Sequence, residues 1–283
     1  GTLMVIKPKV VITVVDDSGD FHWLSKNYND ATFFAIQNGH RTNIQLTEEL
    51  TGRYLTNFFC FGDYDKDRYS KFQHTVLNCY PVGSLRLGIY EKYFRKNTKI
   101  EYDLAIISQY KNSIFLNTNH DPLGKPQIRM HKILSSYIKK NMIKAALVLA
   151  VNCKEEIAFY KNIYQISIDL IANDKDSLSS YSVIEQSNLI VGLNSTMLAE
   201  AFGIGKKVLR IDYMGSNDQN DYDPTILLKD PSYFELESRL NELLVEPYDD
   251  YRKRMKGYSS YIMNYNPDCP PHEAIRKKIE ESL

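Results

Sequence analysis

The chain has 283 residues, of which 43% are hydrophobic and 25% charged, and its 35 basic and 35 acidic side chains cancel. This composition is typical of a globular protein with room for two modest domains, and zero net charge argues against general attraction to nucleic acid or an anionic membrane. No apolar run approaches the roughly 18 residues that cross a bilayer, and no signal-peptide pattern opens the chain.

The first third of the chain alternates short apolar runs with helix-like stretches. Because the apolar runs are continuous, they predict strands of a parallel sheet that is covered on both faces. We predict strands over VVITVV (10–15), TFFAI (32–36), NFFCF (57–61) and VLNCYPVG (76–83), and helices over 63–72 and 85–94.

A polar stretch at 95–102 is the predicted linker, and the alternation resumes after it. The predicted strands are 103–110, 146–151, 166–171, 188–193 and 207–213, and the predicted helices are 130–145, 154–164, 178–187, one that starts after Leu193, 232–245, 248–263 and 271–282. Strand–helix alternation predicts right-handed βαβ units. We therefore expect an α/β protein with two tandem Rossmann-like domains that face each other across a cleft.

The stretch VGLNSTMLAEAFGIGKKVLRIDY (191–213) places polar residues at the mouth of a helix between two buried strands. Asn194 or Ser195 can cap that helix, which is worth about 1 kcal/mol. The same free N–H groups also make a phosphate site, to which the hydroxyls of Ser195 and Thr196 would add donors. Glu200, one turn further on, is placed to accept ribose hydroxyl bonds, as acidic residues do in dinucleotide folds.

Polar residues that directly follow other predicted strands are further candidates, because ligands of open α/β sheets bind beyond the carboxyl ends of the strands. These candidates are Asp16, Asp17, the loop 37–41, Ser108, Gln109, Asn152 and Asn173. Carboxylates at 16, 17 and 20 cluster in an expected Gly-containing loop after the first strand. They repel each other, which tends to raise the pKa of at least one, as a general base requires. A solvated turn explains the same residues without catalysis.

Residues 178–213 resemble the nucleotide-sugar half of GT-B glycosyltransferases and of the related sugar-nucleotide epimerases. The shared order is a helix, a strand ending in a small polar residue, Ser/Thr, Leu-Ala-Glu-Ala, a Gly, a Lys and a strand, and SNLIVGLNSTMLAEAFGIGKKVLRI follows it. The resemblance continues through 230–231 and 247–259. In the first half, FAIQNGHRT (34–42) and the segment 58–86 resemble surface-polysaccharide transferases.

The resemblance implies a GT-B-like fold. We expect an acceptor domain at 1–98, a nucleotide-sugar domain at 99–250, and terminal helices at 251–283 that pack back on the first domain. By the same likeness Ser195 and Thr196 meet the diphosphate, Glu200 the ribose, and Asn173 lies near the base. Other expected donor contacts are Asn194, Ser108, Gln109, Asn152 and Arg41.

In a GT-B enzyme the loops of the first domain face the acceptor, which suggests roles for their polar residues. Asp17 is the expected base, with Asp16 as its alternative and His22 next. The loop residues Gln37, Asn38 and Gly39 are expected at the acceptor together with His22. His40 is a catalytic candidate, although a lone histidine is more often structural. Arg41 could neutralise the leaving diphosphate, and His120, in NHDP, could approach a phosphate.

The expected cofactors and surroundings follow from the same patterns. No isolated D-x-D motif stands by the sugar site, so we expect a metal-independent transferase that uses a nucleotide sugar, with UDP-sugar favoured, and a carbohydrate acceptor. We expect no nucleic acid partner and no transmembrane segment. Four scattered cysteines indicate a reducing, cytoplasmic setting. The start GTLM and a length short for a GT-B enzyme lead us to expect part of a larger multidomain protein.

Several alternatives stay open at this point. Inversion is favoured over retention. An epimerase would convert the same donor without an acceptor. A CMP-sugar (Kdo-type) transferase is suggested by DDSGD and HDP, in which Ser18 and Asp121 interrupt the matching pairs. A non-enzymatic, two-lobed solute-binding module would share the strand–helix alternation.

Overall fold

A computed structural model describes residues 2–41, 43–47, 52–96, 98–111, 124–165, 167–213 and 226–283. The chain divides into two compact units, one made of Gly1–Lys92 with Lys256–Leu283 and the other of Tyr93–Met255. His120, a candidate from the sequence, lies outside the described residues. Each unit is built on a parallel sheet.

The first unit contains a parallel sheet of four strands in the order β1-β2-β3-β4. The strands are β1 (Val10–Thr13), β2 (Thr32–Ile36), β3 (Tyr54–Cys60) and β4 (Thr75–Pro81). The helices before, between and after them are α1 (Thr2–Ile6), α2 (Gly19–Asn27), α3 (Asn43–Thr47), α4 (Asp63–Lys71) and α5 (Leu85–Tyr93). The register pairs Phe34 with Asn57 and Phe58 with Cys79.

Both faces of this sheet are covered, which explains why β2 and β3 are apolar at successive positions. Phe33 and Phe58 pack on one face, in a cluster that includes Phe21 of α2. Phe34 and Phe59 pack on the other face against Ile275, which comes from the C-terminal segment.

The C-terminal segment of the first unit lies very close to two glycines. The Asn264 N–H donates to the Phe61 carbonyl at 2.7 Å, and Asn264 Nδ2 donates to the Pro81 carbonyl at 2.6 Å. A Cβ atom at Gly62 would lie 2.2 Å from the Tyr261 carbonyl oxygen, and one at Gly83 would lie 2.2 Å from that of Asn264. Glycine is therefore required at both positions to let the returning backbone approach.

The second unit contains a parallel sheet of six strands in the order β10-β9-β8-β5-β6-β7. The strands are β5 (Tyr102–Ile107), β6 (Ala145–Val148), β7 (Asp169–Ile171), β8 (Ser187–Gly192), β9 (Lys207–Asp212) and β10 (Leu227–Lys229). The helices are α6 (Gly124–Asn141), α7 (Lys154–Tyr164), α8 (Ser179–Glu185), α9 (Thr196–Gly203) and α10 (Tyr233–Val245). Helix α11 (Tyr248–Ile262) begins in the second unit and ends in the first, which also contains α12 (Pro271–Glu280).

The predicted α/β architecture with parallel sheets is confirmed, and the differences lie in single elements. Helix α2 occupies part of the segment expected as an acidic loop, because Ser18 caps it by accepting the Phe21 N–H. Strand β1 ends at Thr13 rather than at residue 15. Helix α6 begins at Gly124 rather than at residue 130, and strand β10 was not predicted. Among the described residues, no helix combines the length and apolar character needed to cross a bilayer.

Candidate functional site

The stretch between β8 and α9 forms a sharp turn from a buried strand into a helix. Ser195 is the N-cap, with extended backbone angles (φ −96°, ψ 139°), and its hydroxyl accepts the Met197 N–H at 3.3 Å. A Cβ at Gly192 would lie 3.3 Å from a Leu198 methyl, so the helix packs tightly over the strand end. The expected cap is therefore present, at the edge of the sheet where parallel α/β proteins bind ligands.

Three side chains hold this turn in place. The Asn194 N–H donates to Gln109 Oε1 at 2.9 Å, and Asn194 Oδ1 accepts from Arg210 Nη2 at 2.7 Å. Arg210 Nε also donates to the Leu193 carbonyl at 2.8 Å. Gln109 and Asn194, expected as donor contacts, thus serve to fix the turn, and the buried Arg210 places a positive charge beside it.

Glu200 lies on α9, one turn beyond the capped N-terminus, and only 4% of its surface is exposed. The helix directs its side chain inward together with its neighbours Ala199 and Ala201, which are also buried. A buried carboxylate must be hydrogen-bonded or paired to offset the loss of hydration. The ribose contact expected for Glu200 stays a prediction.

A buried carboxylate that the sequence did not single out shapes the turn after β6. Glu156 is fully buried. Its Oε1 accepts the Ala150 N–H at 2.7 Å and the Ser108 hydroxyl at 2.6 Å. Its Oε2 accepts the N–H groups of Val151, at 2.9 Å, and of Asn152, at 2.7 Å. Ser108 is therefore engaged inside the unit, and Asn152 is held at a positive φ of 60°.

The strand ends of the second unit bring several predicted residues to one edge of the sheet. Since β5, β6, β7 and β8 are parallel neighbours, Gln109, Asn152, Asn173 and Ser195 all follow carboxyl ends of adjoining strands. Within the described part of the chain, the buried Oδ1 atom of Asn173 has no hydrogen-bond partner. This edge therefore combines a capped helix N-terminus with polar groups at successive strand ends.

In the first unit, Asp16 is the centre of a buried ionic cluster. It has no exposed surface, and its Oδ1 accepts from Arg41 Nη2 at 2.6 Å and from the Asn38 N–H at 3.1 Å. The Tyr69 hydroxyl donates to Oδ2 at 3.3 Å. Burial raises the pKa of Asp16, while the Arg41 guanidinium opposes that rise. These contacts join the segment after β1 to the loop after β2.

Asp17 has a different environment from its neighbour. Its side chain is 40% exposed, and its Oδ1 lies 3.5 Å from Arg41 Nη2. Arg41 also donates to Asn38 Oδ1 at 2.8 Å, so the guanidinium is shared among the two loops. Of the two carboxylates, Asp17 is the one that solvent can reach.

The other candidates of the first unit are engaged within it. His22 Nε2 lies 2.8 Å from the Asp16 carbonyl, and His40 Nδ1 lies 3.3 Å from Asp65 Oδ1. Gln37 Nε2 donates to the Gly39 carbonyl at 3.1 Å, while its Oε1 accepts the Phe61 N–H at 2.8 Å. These contacts shape the loops, and the acceptor roles expected for these residues stay predictions.

Residues 34–269 match the family described as "putative O-antigen biosynthesis protein", which is 236 of the 283 residues. The chain belongs to this O-antigen biosynthesis family. No curated protein matches its sequence.

Solved structures that share the fold of this protein include two named as epimerases and one named as a polymerase. A structure named as a "putative UDP-N-acetylglucosamine 2-epimerase" from Listeria monocytogenes has a TM-score of 0.67 at 15% identity, over 99% of this chain and 76% of that one. The UDP-GlcNAc 2-epimerase of Methanocaldococcus jannaschii, in complex with UDP-GlcNAc and UDP, has a TM-score of 0.58 at 14% identity, over 92% and 78%. The wall teichoic acid polymerase TagF has a TM-score of 0.56 at 10% identity, over 97% and 74%. The predicted GT-B-like fold, related to that of sugar-nucleotide epimerases, is confirmed.

The protein also contains buried charged residues that could not be identified from local sequence patterns. Arg53 Nη1 lies 4.0 Å from Asp16 Oδ2, and Arg68 Nη1 donates to the Arg41 carbonyl at 2.7 Å. Like Arg210, both are buried. A single Arg in an apolar or polar run carries no signal of burial. For Glu156 the sequence contains a weak signal of its role, since this residue falls three residues after the Cys153 cap, in the first turn of a helix.

Proposed function

We propose that this protein is a metal-independent glycosyltransferase that moves a sugar from a nucleoside diphosphate sugar to a glycan hydroxyl in O-antigen synthesis. UDP-sugar is the favoured donor. The observation that supports this most is the Ser195-capped start of α9 at the carboxyl edge of the second sheet, held by Gln109 and Asn194 and flanked by the buried charge of Arg210. The N–H groups and the positive end of the dipole at such a helix start suit a diphosphate.

In the proposed reaction the acceptor hydroxyl oxygen attacks the anomeric carbon of the donor sugar. The bond between that carbon and the diphosphate oxygen breaks, the electron pair leaves with the diphosphate, and the hydroxyl proton passes to Asp17. The result is inversion at the anomeric carbon. In this proposal Asp16 and Arg41 position the loop that carries Asp17, because both are buried and paired with each other. Charge on the diphosphate is met by the α9 N–H groups and basic side chains rather than by a metal.

An epimerase is the competing proposal, and the two similar structures named as epimerases give the reason to test it. An epimerase converts a nucleotide sugar alone, whereas a transferase needs an acceptor. NMR of the protein with UDP-sugars, with and without O-antigen fragments as acceptors, separates them. New sugar resonances without acceptor would favour the epimerase, and a new glycosidic linkage only with acceptor would favour the transferase.

Nucleotide binding is tested first, by thermal shift with UDP, GDP, dTDP and CMP. A nucleotide that binds the native state raises the melting temperature by an amount set by its concentration over Kd. We expect UDP to give the largest rise. If none of the four raises the melting temperature at millimolar concentration, the proposed function is contradicted.

A matched pair of cap variants connects that binding to the turn before α9. Ser195→Ala and Ser232→Ala each remove an N-cap hydroxyl, from α9 and from α10. Each should cost about 1 kcal/mol of stability. Only Ser195→Ala should reduce the thermal shift given by UDP, and equal shifts in both variants would argue against diphosphate binding at α9.

A further inference from the structure

Two cysteines of the first unit lie diagonally to each other on neighbouring strands, since Cys79 is in register with Phe58 and Cys60 with Pro81. Cys60 ends β3 and Cys79 lies on β4, and their Sγ atoms are 3.3 Å apart. Both thiols are free. Because a disulfide bond is about 2.05 Å long, the sulfurs need to approach by only about 1.3 Å to bond.

The two thiols differ in their access to solvent. Cys60 is fully buried in the cluster that includes Phe58 and Leu55. Cys79 is half-buried and lines a cavity of about 430 Å³ together with Lys66, His74 and Asn78. Since β4 stands at one end of the sheet order, this cavity lies along the outer strand. A small reagent can therefore reach Cys79 through this cavity, whereas Cys60 is shielded from solvent.

Hydrogen bonding and charge act in the same sense as this difference in solvent access. A hydrogen bond from the Cys60 thiol lowers the pKa of Cys79, and the Lys66 ammonium acts in the same direction, against the opposing effects of burial and of the Asp65 and Asp63 carboxylates. The same hydrogen bond, together with burial, raises the pKa of Cys60. The thiolate is the nucleophile in thiol chemistry, so the accessible Cys79 is the attacking group.

We propose that Cys79 and Cys60 form a thiol–disulfide exchange site for low-molecular-weight disulfides such as glutathione disulfide. The Cys79 thiolate attacks one sulfur of the reagent, whose S–S bond breaks to release one thiolate and leave a mixed disulfide on Cys79. Cys60 then loses its proton to the released thiolate and attacks Cys79 Sγ, which expels the second thiol. Two protein thiols and one disulfide thus give one protein disulfide and two small thiols.

The disulfide would link β3 covalently to β4, and the segment that carries α4 would become a closed loop between the two cysteines. That helix holds Asp65, which contacts His40, and Arg68, which donates to the Arg41 carbonyl. The exchange site is therefore connected to the loop after β2 through a single helix, and this inference does not rest on the proposed transferase activity.

The test uses the full chain with Cys153→Ser and Cys269→Ser, so that only the proposed pair can react. Ser at 153 can keep the helix cap, because Cys153 Sγ accepts the Glu156 N–H and Ser is a favoured N-cap residue. The native protein is incubated with glutathione disulfide, quenched in acid and analysed by intact mass and peptide mapping. We expect a mass lower by two hydrogen atoms and a peptide that links positions 60 and 79.

Two further variants separate the roles. Cys60→Ser should accumulate a glutathione adduct on Cys79 that lasts at least about 100-fold longer than in the parent, because the neighbouring thiol that resolves it is gone. Cys79→Ser should give neither adduct nor link. A persistent adduct in the parent, a link formed only after denaturation, or no reaction of the native parent would each overturn the proposal. Because the disulfide link is mapped in the parent protein, this part of the test does not depend on whether Cys60→Ser or Cys79→Ser folds.

Discussion

Asp16 and Asp17 follow each other in the chain but meet opposite environments. Asp16 is buried against Arg41, Tyr69 and the Asn38 N–H, and its removal would leave the Arg41 guanidinium with only the more distant carboxylate of Asp17. Asp17 keeps 40% of its side chain exposed. General-base catalysis requires a carboxylate that a substrate hydroxyl can reach. The neighbouring burial of Asp16 therefore serves to hold the loop from which Asp17 projects.

For Asp17→Asn we expect turnover to fall by roughly 10²–10⁴, since the proposed base is lost, with nucleotide affinity unchanged. The control is Asp16→Asn, which should chiefly lower the urea midpoint of unfolding, because it leaves the buried Arg41 poorly compensated. Steady-state kinetics with the donor found in the nucleotide screen, together with urea unfolding, measures both. Wild-type turnover in Asp17→Asn would contradict the assignment of the base.

For Glu200→Ala we expect weaker binding of the nucleotide, because a buried carboxylate on α9 is the proposed acceptor of ribose hydroxyl bonds. Loss of a hydrogen bond to a charged group is worth about 1.5–3 kcal/mol, which corresponds to a Kd raised by roughly 10- to 150-fold. Titration calorimetry with UDP and with 2′,3′-dideoxy-UDP measures it. The dideoxy nucleotide should bind wild type and variant alike, and an equal loss with both ligands would indicate a structural effect.

At the scale of single elements, helices α6 and α7 are joined by a buried aromatic cluster around His131. His131 Nδ1 lies 2.7 Å from the Tyr164 hydroxyl, and its ring centroid is 4.8 Å from that of Tyr160 in an edge-on contact. Burial lowers the pKa of His131 to about 3, so the ring is neutral in the native state. An unfolded chain, in contrast, protonates this histidine near pH 6.5.

This difference in pKa predicts a specific acid sensitivity. Because the native pKa is below the unfolded one, the stabilisation is complete above pH 6.5 and is lost as the pH falls toward 3. The slope from this group is about 1.4 kcal/mol per pH unit within that window. In His131→Phe the stability should be lower at pH 7 but should fall less steeply with acid. Urea unfolding from pH 7 to pH 4 measures the slope, and parallel pH profiles would exclude His131 as the titrating group.

The sequence predicted most elements because their apolar runs match the sheets closely. The strand over TFFAI and the helix over 154–164 were predicted to the residue. Helix α2 was missed because its burial does not follow the polarity of its side chains: the apolar Trp23 is 65% exposed, whereas the polar His22 is buried. A residue whose burial depends on a distant part of the chain has no local pattern of apolar positions that would predict it.

The candidate site could be predicted to the level of strand ends but not to that of individual contacts. Ser108 and Gln37 look like ligand groups in the sequence, yet Glu156 and the Phe61 N–H take up their polar atoms. Partners that lie 48 and 24 positions apart in the chain have no signature in either segment. A polar residue after a strand therefore identifies the edge of the sheet, while only the tertiary contacts show which residues stay available.

The two units of the molecule differ in how many segments of the chain build them. The second unit is one continuous segment, Tyr93–Met255, while the first is completed by Lys256–Leu283. Within the first unit, Ile275 packs against Phe34 and Phe59, and Asn264 bonds to main-chain groups of Phe61 and Pro81. The family match ends at residue 269, so it includes Asn264 but not Ile275.

The close approach of the returning backbone can be tested with a pair of glycine variants. In Gly62→Ala the new methyl would lie 2.2 Å from the Tyr261 carbonyl oxygen, so the C-terminal segment must move away. We expect a loss of about 1–3 kcal/mol from the first unit. The control Gly257→Ala adds a methyl with no atom within 4 Å, in the interior of α11. There the higher helix propensity of alanine should add up to about 1 kcal/mol.

Hydrogen exchange distinguishes where the destabilisation falls. In Gly62→Ala the amides of β2 and β3 should exchange faster, because they lose the cover given by Ile275, while those of β8 and β9 keep their protection. Binding of UDP by the second unit should then be retained in both variants. Equal loss of protection in both sheets would mean that the chain unfolds as one cooperative block, since a local steric defect would then be shared by every strand.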